Sequence, residues 1–126
     1  RDNDNDDFTV NAEELIIPSG GLMVFGRNGN PQTNGGVTVD YTYGSAFTMA
    51  NGSDEVVLEG ADALVIDEVI YDNGATFPDP SGASISLDPD SQDAIDNDDG
   101  MNWCEGQTAF GQGDLGTPGA ANDACE

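Results

Sequence analysis

No window of this chain sustains a helical period. Its apolar residues come in short runs, most of them rich in Val and Ile, set between clusters of Gly, Pro, Asn and Asp. The runs are ELIIP (14–18), GLMVFGR (21–27), VTVDYTY (37–43), EVVLEG (55–60), ALVIDEVIYD (63–72) and ASISLD (83–88). Such segments are too short to be helices with a buried stripe, so the chain must fold by pairing strands. An all-β fold in one domain, residues 1–126, is predicted, because this length supplies one modest core and not two. In VTVDYTY the alternation places Val37, Val39, Tyr41 and Tyr43 on one face, with Thr38, Asp40 and Thr42 on the other. Residues 55–72 read as a hairpin turning at Gly60–Ala63, and SQDAIDNDD (91–99) suits a loop or one helical turn.

Charge removes several classes of function. The formal net charge is −23, the basic residues are Arg1 and Arg27, and there is no Lys or His. Nucleic acid and anionic membranes are excluded as direct partners, because both are held by Lys/Arg contacts. No run is apolar for long enough to insert directly into a membrane. Without His or Lys the usual general bases and Schiff-base nucleophiles are missing, and no G-x-S-x-G, H-E-x-x-H or P-loop pattern occurs. Carboxylates that could serve a glycosidase abound, but nothing singles out a pair, so no enzyme is expected.

Eighteen Asp stand against seven Glu. The shorter side chain suits turns and hard-cation sites better than helix faces, which points to calcium. Asp2, Asp4 and Asp6 echo the D-x-D-x-D spacing of an EF-hand, with Glu13 eleven residues after Asp2. Asp7 occupies the position that an EF-hand reserves for Gly, which leaves only a looser calcium turn. A second set, Asp88, Asp90, Asp93, Asp96, Asp98 and Asp99, must either spread into solvent or be bridged by a cation. The competing reading of both sets is a solvated acidic surface.

Cys104 and Cys125 are the two cysteines. With no His and no third Cys they form no ordinary zinc site, leaving one disulfide or two free thiols. The disulfide is expected, and with it an oxidising compartment, secreted or at the cell surface.

The end of the chain carries the most specific pattern. SGASISLDPD contributes Gly82, Ser84 and Leu87; Asn102 and Trp103 follow; then come Gly116, Thr117, Pro118, Gly119 and Asn122 in GTPGAAN. Together with IIPSGGLMVFGRN and MANGSDEVVLEGADALVIDEVIYD (49–72), this series resembles the lamin tail domain family, over residues from about 4 to 122. The resemblance implies an immunoglobulin-like β-sandwich and, for a secreted member, a non-catalytic structural or interaction module. Its strands preceding residue 1 are then expected to be missing from this chain, leaving sheet edges for a protein partner or for self-association. Strand exchange of that kind would build a surface assembly or filament. The alternative is a carbohydrate- or ligand-binding accessory domain of a secreted hydrolase, using aromatics such as Tyr41, Tyr43 and Tyr71. Asn51 in NGS also fits a glycosylation sequon.

Overall fold

A computed structural model describes residues 6–11 and 15–126. The strands are β1 (Phe25–Gly26), β2 (Tyr41–Thr42), β3 (Ser53–Glu59), β4 (Val65–Asp72), β5 (Ile85–Leu87), β6 (Trp103–Glu105), β7 (Ala109–Phe110) and β8 (Asp114–Leu115). Two 3₁₀ turns, Asp96–Asp98 and Gly100–Asn102, precede β6. Among the described residues the fold is β-rich with almost no helix, and its strands pair as four two-stranded sheets: β1–β2 parallel, the other three antiparallel.

The longest pair is the predicted hairpin, in register from Ser53–Asp72 to Leu58–Asp67, with a bulge before Glu59–Val65. Its turn closes through Gly60 N–H to the Leu64 carbonyl and Ala63 N–H to the Gly60 carbonyl. Residues 37–43 show the predicted alternation of half-buried and exposed side chains, although only Tyr41–Thr42 is paired as strand. ELIIP forms no strand among its described residues, and Ile16 and Ile17 are exposed. The turn in the 91–99 segment is the single 3₁₀ turn Asp96–Asp98.

Two apolar clusters organise the chain. Near the start, Phe8 stacks on Tyr41 and Tyr43, with centroids 5.7 and 5.2 Å apart, and meets Phe47 edge-on. In the second half Phe77, 4 % exposed, packs on Trp103 at 5.8 Å. Gly100 closes over them: a Cβ there would lie 2.4 Å from the Thr76 carbonyl oxygen, so no side chain fits. Phe77 is the one buried large apolar side chain among the described residues, while fourteen large apolar side chains are exposed. Six of the fourteen, Val56, Leu58, Leu64, Val65, Ile66 and Ile70, belong to the β3–β4 hairpin. The chain exposes 8599 Å², against about 6,400 Å² for a folded chain of its mass.

Candidate functional site

The carboxylates of the expected calcium loops are spread along turns. Asp2 and Asp4 lie outside the described residues. Asp6 accepts from Thr48 N–H at 3.2 Å. Asp88 accepts from Asp90 N–H and from Cys125 N–H, at 2.9 and 2.8 Å. Asp93 accepts from the amides of Asp96 and Ile95 at the start of the 3₁₀ turn, and those bonds hold its carboxyl below the usual range. Asp96 is pushed the other way, by the charge of Asp93 first, with slight desolvation and the charge of Asp99 adding to it. Asp99 caps the second 3₁₀ turn through Met101 N–H, and Asp90 and Asp98 are exposed. Among the described residues no three His, Cys, Asp or Glu side chains converge on a point that could hold a metal ion. The short Asp side chain here closes turns, the role that makes Asp common in loops.

The closing segment is strapped down. Cys104 and Cys125 form the disulfide. Asn122 donates to the Leu87 carbonyl and accepts from Thr117 Oγ1, both at 2.8 Å. Asp123 accepts from the amides of Gln107 and Thr108 and from Thr108 Oγ1. Gly116 passes so close to Ser84 that a Cβ would lie 2.8 Å from its Oγ. A shallow hollow of about 420 Å³ beside the strap is lined by Gly, Thr and Phe110, with no charged side chain.

The third region is the outer edge of β4. Gly52 and Asn73 continue the hairpin register, and Asn73 N–H donates to the Gly52 carbonyl. The pairs 54–71, 56–69 and 58–67 are therefore the hydrogen-bonded ones, and the backbone groups of Glu68, Ile70 and Asp72 point away from β3. No third strand joins the hairpin among the described residues. The outward amide of Glu68 is met instead by the Asp67 carboxylate, at 3.0 Å.

Alongside this edge runs a groove of about 460 Å³ lined by Val65, Ile66, Asp67, Glu68, Ile70, Ala94 and Asp98. Residues from both faces of β4 line it, as expected of a channel that follows a strand edge. Ile66 and Ile70 are 60 % and 58 % exposed. The far wall is fixed by Asn97, 6 % exposed, which donates to Asp67 Oδ2 at 2.8 Å and whose backbone carbonyl accepts from Trp103 Nε1. The Asn97 Oδ1 atom is buried and has no hydrogen-bond partner among the described residues. Sequence reading missed Asp67 and Asn97, because one carboxylate among 25 acidic residues and one amide inside an Asp run carry no local signature.

The aromatics expected of a sugar-binding surface are engaged elsewhere. Tyr41 and Tyr43 are half-buried in the Phe8 cluster, Tyr41 O–H donates to the Thr9 carbonyl, and Tyr71 O–H donates to the Ala50 carbonyl. Burial and the neighbouring Asp54 raise the Tyr71 phenol.

No protein-family model, no curated protein and no solved structure matches the chain.

Proposed function

We propose that this chain is a non-catalytic, extracellular interaction module of the lamin tail type, an immunoglobulin-like sandwich whose exposed hairpin is covered by another polypeptide segment. The observation that carries this reading is the hairpin itself, which leaves six large apolar side chains exposed and the outer edge of β4 unpaired among the described residues. Exposed apolar side chains beside an open strand edge mark an association site, because such edges left bare drive aggregation. The disulfide supports an oxidising compartment. Calcium enters this reading as a counter-ion to the 88–99 loop, relieving the repulsion that raises Asp96. The carbohydrate-binding alternative has less support, since its tyrosines are packed or hydrogen-bonded.

Selection from a displayed library of extended peptides, with amide exchange of the free chain, tests the proposal. The expected result is capture of strand-forming peptides and fast exchange at Ile70 before they bind. Failure to select any peptide, together with a protected Ile70 amide in the free chain, would overturn it.

A further inference from the structure

We infer that the β4 groove takes an extended partner strand in which basic and apolar residues alternate, added antiparallel or parallel to β4 by backbone pairing. The inference rests on the interaction-module reading and names the partner's chemistry.

Three independent observations converge on it. The outward amide and carbonyl of Ile70, the Glu68 carbonyl and the Asp72 amide have no strand partner among the described residues, so a strand can continue the sheet there, while the Glu68 amide is already met by Asp67 and the Asp72 carbonyl by the Ala75 amide. Successive residues of an added strand point to opposite faces. Those on the side of Ile70 meet its exposed side chain, with the Glu68 carboxylate two residues along on the same face, whereas those on the side of Asp67 meet its carboxylate. Glu68 and Asp98 add two more carboxylates to the lining, and no Lys or Arg among the described residues lines the groove.

An arginine reaching Asp67 brings several N–H groups on one plane, which suits a carboxylate. A metal ion does not fit the same wall, because Asp67, Glu68 and Asp98 do not converge. A second copy of this chain is disfavoured as occupant: each copy carries −23 and only two basic residues, and like charges across an interface cost several kcal/mol.

The test uses the intact chain and three nine-residue peptides measured by fluorescence anisotropy: alternating Arg and Val, alternating Glu and Val, and alternating Ser and Val. The Arg peptide is expected to bind and to protect the Ile70 amide, with affinity falling as salt rises; a version N-methylated on its β4-facing amides is expected not to bind. The Glu68→Gln/Asp98→Asn double variant is expected to bind about five- to tenfold more weakly at low salt. The Asp90→Asn/Asp114→Asn variant, equal in net charge and outside the groove, should lose less than about twofold. Equal losses in the two variants would reduce the effect to diffuse attraction and overturn the inference. So would equal binding of the Ser peptide, or a chain that dimerises through β4 in preference to binding peptide. If the displayed library yields strands without basic residues, the inference fails while the module reading stands; if it yields none, both fail.

Discussion

The strapped end of the chain and the β3–β4 hairpin are built from the same residue types and reach opposite outcomes. From Phe77 to Cys125 each segment is tied to another by something specific: the Phe77–Trp103 contact, the Gly100 closure, the Asn122 and Asp123 hydrogen bonds and the disulfide. The hairpin is joined to the 3₁₀ turn by the Asn97 to Asp67 hydrogen bond. Its strands are the longest, yet six large apolar side chains of the hairpin, Leu64 of the turn among them, face solvent. A long strand pair thus has the weaker anchorage, and short strands tied by side chains have the stronger. Strand length reports propensity, while order comes from what covers the faces.

That contrast predicts unequal responses to truncation. Phe77→Ala removes the one buried large apolar side chain among the described residues and is expected to cost about 3–5 kcal/mol, read as a lower denaturation midpoint. Ile70→Ala, on the hairpin, is expected to stay within about 0.5 kcal/mol in the absence of partner. A similar loss at both positions would break the distinction between the two regions.

The covalent tie comes next. Cys104 and Cys125 are separated by 21 residues, and removing their bond with the Cys104→Ser/Cys125→Ser pair should cost about 3 kcal/mol by chain entropy. Amide exchange at Gln107 and Thr108 should rise, because Asp123 then loses its fixed position, while hairpin exchange stays as it was. A hairpin that loosens equally would show the two regions to be one cooperative unit. Below this lies Asp123→Ala, which leaves the Gln107 and Thr108 amides without their acceptor; a loss of about 1–2 kcal/mol is expected in the same melting experiment.

Much of this contrast is legible in the sequence and part is not. The hairpin is readable because its pairing is local and Gly60–Ala63 marks the turn. The half-buried alternation of residues 37–43 is readable because a pleat has period two. Two cysteines and no histidine leave a disulfide or two free thiols, and the structure has the expected disulfide. The pairings of β1 with β2 and of β5 with β6 depend on contacts across loops, which local pattern does not encode. Nor does composition tell which Asp is structural: Asp40, Asp72 and Asp123 each hold backbone amides of another segment or turn, and none is set apart by its neighbours in sequence. The lamin-tail pattern in residues 82–122 rests on the sequence alone.

The smallest expected effects come from two carboxylates shifted in opposite directions, one at the root of each region. Asp72 ends β4 and accepts from the Thr76 amide, Thr76 Oγ1 and the Phe77 amide, and these bonds lower its carboxyl to about 2. A depressed folded pKa means that its contribution is complete above the unfolded value of 3.8 and is lost as pH falls through about 2. Asp96 is raised by Asp93 first, with desolvation and Asp99 adding, so its effect has the opposite sign: it favours the folded chain in acid and disfavours it once pH rises past its folded pKa. Melting curves from pH 2 to pH 7 on the parent chain, Asp72→Asn and Asp96→Asn separate the two. Asp72→Asn should lower the midpoint at neutral pH and flatten its fall in acid. Asp96→Asn should raise it slightly at neutral pH, and millimolar calcium should stabilise the parent more than this variant at matched ionic strength, since the variant has already lost the repulsion that a cation relieves. Equal calcium responses would leave the 88–99 carboxylates as a solvated surface and detach calcium from the proposed role.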